Sequence, residues 1–540
     1  MATAGSGATC NTLEEFDDHI RKMKQQLKEV EYHRNLRVSV CRLPVEIIGK
    51  IFTHTTGDGH WVRKFPKVMQ VCRLWRAIAA KTPSMWTHLD LSRPKMAQEV
   101  LRYSGSIPLR VTMRSDACCQ QNLSLEVLEQ PSRISSLYLS GISPNHLTNL
   151  LAKVTQPVPY LRSIVIRPNG VSVILPTNFL GEDAPRLVSL HTTGCSIPWG
   201  SHAFRNLTSI RVSKSTLPIN MSLENIAITL QAATKLVEVD ISDFIPSQTN
   251  ASLPRDFTIV LPHLNRLHLS SRAIVITTLL QRMIFPASAM VHLEISELED
   301  ALDSLCSSIS GLFADAAIDP KHMRSVETLY LAHYDGQGIT LKVWNSFDYR
   351  TYGRDTGNHF RLQLEDQVHT AIELDVQPIC RRLLDALGML SYLKELEVDV
   401  PSLQQDTIIE CFGSCPLLHA ITTYGSCANA VVTSLFYNLS DAPQPIPYPA
   451  VSTITLYSVN FDTNRMPTFL VIPLQNRSEH GVPVKKVVLK TCKNLYGNEV
   501  EMLKGEVGSE VEIDWDGIEI EVINSGAGSS FDDSDDSSDA

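Results

Sequence analysis

The sequence predicts an α/β protein in which a small helical block is followed by an irregular solenoid built on a parallel sheet. Three observations predict it. Apolar residues recur in steps of three and four as far as Leu91; an apolar triplet spaced three and then two recurs through the rest; and Pro, Ser, Asn and Gly punctuate the intervals between triplets. A chain of 540 residues is too long for one ordinary compact core, so a repeat array or several domains must share the burial.

The first segment, 1–10, is small and polar and is expected to be disordered. A heptad-like helix is expected over 11–38. Thr12 and Glu15 can form a capping box, and Leu13, Phe16, Ile20, Met23, Leu27 and Val30 follow at the spacing of a coiled-coil seam. Such a stripe suits first a solitary helix packed on its own protein, with self-association or a partner helix as the other reading.

The helical block spans 40–91. CRLPVEIIGKIF puts Leu43, Ile47, Ile48, Ile51 and Phe52 on one stripe, with Pro44 near the first turn, where its missing N–H costs little. Val68, Val71, Cys72, Trp75, Ile78 and Ala79 then recur at helical spacing between Pro66 and Pro83, and Trp86 and Leu89 add apolar weight. A block this short cannot bury so many apolar residues by itself, which calls for a partner.

The order LPVEIIGKIF, VMQVCRLWRAIAAKTP, SMW resembles the F-box: a Leu-Pro-x-Glu start with apolar repeats, Val-Cys-x-x-Trp-Arg, and a closing Trp. The resemblance implies a non-catalytic substrate-recognition subunit of an SCF-type cullin-RING ubiquitin ligase. It implies that Leu43, Pro44, Ile47, Ile48, Ile51, Val68 and Val71 contact the Skp adaptor, with Trp75 and Trp86 in the motif's own core. Together with the heptad-like helix before it and the degenerate repeats behind it, the block resembles F-box proteins abundant in mushroom-forming fungi. The alternative is an interaction scaffold that docks through the same fold without promoting ubiquitination; a simple helical cap on the following region is the plainer structural reading.

Across 92–523 the triplet is a weak form of the leucine-rich-repeat signature L-x-x-L-x-L. Copies include Ile134-Leu137-Leu139, Leu161-Ile164-Ile166, Leu207-Ile210-Val212, Leu236-Val239-Ile241, Leu264-Leu267-Leu269, Val326-Leu329-Leu331, Leu393-Leu396-Val398, Val451-Ile454-Leu456 and Val484-Val487-Leu489. The long gap after Leu331 is expected to hold another at Leu362-Leu364. Each copy makes one short strand whose alternate residues point inward, and stacking the copies buries a continuous core. The Asn or Cys that bonds the turning backbone in such repeats has matches at Asn169, Cys195 and Cys492, while Ile142, Phe244, Arg272 and Pro401 break the ladder, so the array should be irregular. An unrelated α/β domain with Leu-rich strands is the other reading.

The residue between the last two apolar positions of each copy points outward, giving the row Tyr138, Val165, His191, Arg211, Asp240, His268, Glu294 and Tyr330. His191, Arg211, Asp240, His268 and Glu294 are the candidate target-binding residues, suited to a polar or charged segment; merely solvated strand residues would look the same.

From Glu499 onward there are 14 acidic residues against Lys504 alone, so the net charge of -10 is the sum of a strongly acidic carboxyl end and a nearly neutral, slightly basic remainder of about +3. Val511, Ile513, Trp515, Ile518 and Ile520 alternate with acidic residues as in a half-buried closing strand, and 524–540 is expected to be a disordered acidic tail. No concentrated basic stripe suggests nucleic acid, and no apolar run or leader suggests a membrane or secretion; a cytoplasmic or nuclear protein is expected. Phosphate-loop, nucleophile-elbow and zinc-protease patterns are missing from the sequence, so neither catalysis nor a cofactor is expected. Cys411, Cys415 and His419 make a partial metal pattern that buried packing explains better, and His54 with His60 is similarly unspecific.

Overall fold

The computed structural model of the chain describes residues 12–56, 67–114, 127–213, 222–243, 253–254, 256–298, 301–314, 326–334, 338–344, 360–364, 376–388, 390–436, 446–462 and 468–522. The segments 1–10 and 524–540, expected to be disordered, and His60 lie outside the described residues. The chain divides into two compact units, Met1–Leu217 and Pro218–Ala540.

The first unit opens with a helix over Leu13–Leu36 whose capping box forms as expected: Thr12 Oγ1 accepts from the Glu15 N–H at 3.3 Å, and Glu15 Oε2 accepts from the Thr12 N–H at 3.2 Å. None of its residues is buried, and its apolar seam lies open among the described residues. Two amphipathic helices follow, Val45–Thr56 and Arg73–Ala80. They close around Ile48, Phe52, Ile78, Ala79, Met85, Trp86 and Leu89, all buried. Pro83 opens a short 3-10 turn, Pro83–Met85, that carries Trp86 into this core.

The helical block is built onto a sheet. Its last residues form β1 (His88–Asp90), which pairs in parallel with β2 (Leu109–Met113). The parallel ladder continues through β3 (Ile134–Ile142), β4 (Ser163–Pro168), β6 (Ser189–Thr193) and β8 (Ser209–Ser213). A two-residue pair, β5 (Val173–Ile174) and β7 (Cys195–Ser196), forms a separate small ladder. β3 carries a bulge at Gly141, where φ is +66° and a Cβ would sit 2.8 Å from the Arg114 carbonyl oxygen, so only glycine fits.

In the second unit β9 (Glu238–Ser242), β11 (Arg266–Ser271) and β13 (Met290–Ile295) pair in parallel, with β10 (Ile259–Val260) and β12 (Met283–Ile284) as a small separate ladder. Serial order then breaks. β14 (Thr328–Tyr334), β15 (Gly338–Trp344) and β16 (Phe360–Leu364) form an antiparallel meander laid in reverse, so that β16 pairs with β13 and β14 pairs with β17 (Glu395–Asp399). β18 (Ala420–Tyr424), β19 (Thr453–Tyr457), β20 (Lys486–Lys490) and β21 (Glu512–Trp515) resume the parallel ladder. Helices in the connections pack against one another in sequence, from Ala273–Leu280 and Leu302–Phe313 to Thr468–Glu479 and Gly497–Val507.

Every apolar triplet read from the sequence is buried, including Leu362 and Leu364 of the added copy. The alternation of strand side chains puts these residues on the helix-covered face of a parallel-dominated sheet. β15 is the departure: GITLKVW runs antiparallel and breaks the simple stacking of parallel copies. Cys195 and Cys492 turn inward, with Cys492 Sγ 3.7 Å from the Leu456 carbonyl oxygen, whereas Asn169 is exposed. Asn494 plays the turn-bonding part instead: it donates to Asn460 Oδ1 at 3.0 Å and Asp462 Oδ2 at 2.7 Å, and accepts from the Val522 N–H at 2.8 Å. The closing strand is half-buried as expected, its outer carboxylates Glu512 and Asp514 meeting Lys486 at 2.7 and 3.2 Å.

Candidate functional site

The first candidate surface is apolar and lies on the helical block. Neighbouring residues of a helix point about 100° apart, so the broad stripe read from the sequence splits into two rows. Ile48 and Phe52 form the inner row; Ile48 is 1% exposed, and the Phe52 ring lies 4.9 Å from that of Trp75. Leu43, Ile47 and Ile51 form the outer row, with Ile47 41% exposed. Pro44 is exposed beside them, Val71 is exposed on the segment at 67–71, and Val68 is half-buried.

Ile48 is therefore corrected from a surface contact to a core residue. Val45, 52% exposed in the first turn of the helix, is a further open apolar residue beside the Leu-Pro start. The two tryptophans also differ. Trp86 is fully buried, donates from Nε1 to the Ala79 carbonyl oxygen at 2.8 Å, and packs with its ring tilted against that of Tyr103, centroids 4.6 Å apart. Trp75 is only half-buried.

The second candidate surface is the outer face of the sheet. His191 on β6 stands beside Arg211 on β8 in the first unit, and its Nε2 is 3.3 Å from the Arg167 guanidinium. Asp240, His268 and Glu294 lie on adjacent strands of the second unit. The candidate target residues thus fall into two groups, one in each compact unit. Tyr330 does not adjoin Glu294, because β16 and β15 come between β13 and β14. Strict register also puts His292, not Glu294, opposite His268, with Glu294 opposite Ser270.

His268 is the centre of the second group. Its Nδ1 is 3.0 Å from Asp240 Oδ1 and its Nε2 is 3.5 Å from Glu294 Oε1. Burial disfavours the charged ring, yet attraction to Asp240 and Glu294 outweighs it and holds His268 up to about 9. The His268 contact holds the Glu294 carboxyl below its ordinary value against the opposing effect of burial, with help from Arg361 and His292. The result is a cation clamped between two carboxylates. His88 in the first unit shows the reverse: burial first, and then Arg110, press it down to about 4.

The cysteine pattern near 411 behaves as packing. Cys415 is buried, and desolvation pushes both Cys411 and Cys415 up to about 11. Among the described residues no group of three His, Cys, Asp or Glu side chains is arranged to hold a metal ion, and no helix is long and apolar enough to cross a membrane.

Comparison with known families matches residues 40–92 to the F-box-like family. That range holds the outer apolar row, the core tryptophan and β1. No curated protein matches the chain. The molecule thus joins a helical F-box-like region to a mixed α/β region with a large parallel-dominated sheet. F-box domains generally bind the Skp adaptor and, through it, a cullin ligase.

Proposed function

We propose that this chain is the substrate-recognition subunit of an SCF-type cullin-RING ubiquitin ligase, with the F-box-like region on the Skp adaptor and the sheet region on a target protein. The observation that carries the reading is the outer row Leu43, Ile47 and Ile51 inside the matched range 40–92, left open to solvent while Ile48 and Phe52 fill the core. Because each is already more than half covered, burying its remaining surface against a partner is worth roughly 1 kcal/mol. The chain itself performs no chemistry: it raises the local concentration of a target beside a ubiquitin-charged enzyme. The clamped His268 and its carboxylates in one unit, and His191 and Arg211 in the other, are each a polar patch on rigid strands that a target can meet.

The test is purification with the adaptor and cullin. Wild-type chain should bring down both, and a chain with Leu43→Ala and Pro44→Gly should bring down neither while keeping its thermal transition. Undiminished recovery from the double variant overturns the assignment of this surface. Recovery of the adaptor without cullin favours a scaffold that docks without promoting ubiquitination.

A further inference from the structure

We propose that the helix Leu13–Leu36 pairs antiparallel with the same helix of a second copy of this chain, in the register that sets Leu13 against the second copy's Val30. The seam is fully open: Leu13, Phe16, Ile20, Met23, Leu27 and Val30 are 44–80% exposed, and no residue of the helix is buried. The helix is nevertheless held to its own chain. Arg73 donates to both Glu29 carboxylate oxygens at 3.1 and 2.9 Å and lies over the Tyr32 ring at 5.6 Å. Counting Leu13 as heptad position a, Glu29 and Tyr32 fall at c and f. The attachment therefore uses the side of the helix away from the a and d seam and leaves that seam outward.

The pattern selects a second copy and an orientation. Positions a are Leu13, Ile20 and Leu27, and positions d are Phe16, Met23 and Val30. In an antiparallel pair, a packs on d of the opposite helix. One register satisfies all six residues at once: Leu13 on Val30, Phe16 on Leu27, and Ile20 on Met23, each layer occurring twice by symmetry.

Charge agrees with this arrangement. Glu14, Glu15, Asp17 and Asp18 crowd the first turns, and Arg21, Lys22, Lys24 and Lys28 follow. The antiparallel register places Asp17 at position e next to Lys24 at position e of the other copy, twice. A parallel pair would stack the acidic turns on one another and set Lys24 against His19. Of the two carboxylates in the second half of the helix, Glu29 is already engaged by Arg73, and Glu31 follows the last layer of the seam.

The seam from Leu13 to Val30 is roughly 27 Å long, which belongs to the small, reversible class of interface. Sedimentation equilibrium of the full chain alone, without adaptor or target, should therefore show a concentration-dependent monomer–dimer exchange. Ile20→Glu should abolish the dimer with the helical circular dichroism and thermal transition unchanged, because Ile20 touches no core. Asp17→Lys and Lys24→Asp should each weaken dimerisation about tenfold, and the two combined should restore it. The restoration cannot arise within one helix, since residues seven apart are two turns apart. A monomer at every concentration, a dimer indifferent to Ile20→Glu, or a double swap no better than the singles overturns the proposal. So does loss of adaptor binding in Ile20→Glu, which would assign the seam to the adaptor. Because the dimer is measured on the chain alone, its failure leaves the ligase reading untouched.

Discussion

The F-box-like region and the sheet region divide their apolar residues in opposite ways. In the sheet, strand alternation sends every triplet inward, so that Leu267, Leu269, Leu293 and Leu396 are buried and the outward row, Val165 aside, carries polar groups. In the helical block the same residue types stand on both sides of one helix, Ile48 inward and Ile47 outward. A strand surface facing water can be polar without loss to its core, whereas a helix carrying two apolar rows is complete only when something else covers the second. The difference teaches where each region makes its contacts: the block through apolar area, the sheet through charge held in fixed geometry.

The largest expected effect separates the two rows of the block. Trp86→Ala should cost about 3–5 kcal/mol of stability by emptying a fully buried site and removing the indole hydrogen bond to the Ala79 carbonyl, which keeps only its bond from the chain itself. Trp75→Ala, at a half-buried ring, should cost clearly less. Chemical denaturation of the two variants checks this, and equal losses would erase the distinction between them. Next comes the outer row: Leu43→Ala with Pro44→Gly should weaken adaptor binding by at least about 100-fold with little change in melting temperature, as measured by calorimetric titration and scanning fluorimetry.

Smaller effects sharpen the sheet side. Replacing Arg211, Asp240 and Glu294 together by Ala removes no core atom, so solubility and adaptor binding should persist while proteins captured through the sheet region are lost. Quantitative mass spectrometry of the two captures decides it, and identical recovery would place the target surface elsewhere. The smallest effect is a titration. The His268 ring should titrate near 9 by NMR, and below its ordinary value of 6.5 once Asp240→Asn and Glu294→Gln remove both carboxylates and leave burial unopposed. Because its folded value is raised, this contribution to stability is complete below 6.5 and fades as pH rises through about 9. The gap in urea midpoint between wild type and that double variant should be present at about pH 6 and gone by about pH 10.

Much of this was legible from residues alone, for identifiable reasons. The capping box at Thr12 and Glu15 is local chemistry and needs no tertiary information. The triplets are legible because spacing of three and then two is a direct imprint of a turn entering a strand. Ile48 was misplaced because adjacent apolar residues on a helix do not reveal which of two rows faces the core. β15 was missed because GITLKVW has β-branched and aromatic residues but no triplet, and its antiparallel pairing depends on where β14 and β16 come to lie. The offset between His292 and Glu294 has a similar origin. β13 holds three inward residues, Val291, Leu293 and Ile295, and only register with β11 says which gap is level with His268.

The reversed meander also sets the order of assembly. Where parallel copies follow one another, each new strand docks on the one just made, closing a short stretch of chain. At the meander that economy fails: β13 must wait for β16, with Val291 meeting Phe360, and β14 must wait for β17, with Thr328 meeting Glu395. Closing loops of roughly 70 residues instead of about 30 adds less than about 1 kcal/mol to the equilibrium cost. Its weight falls on kinetics, where distant pairings come late. The strands before the meander and those after it can each grow from neighbour to neighbour, and β14, β15 and β16 are the keystone set last between them.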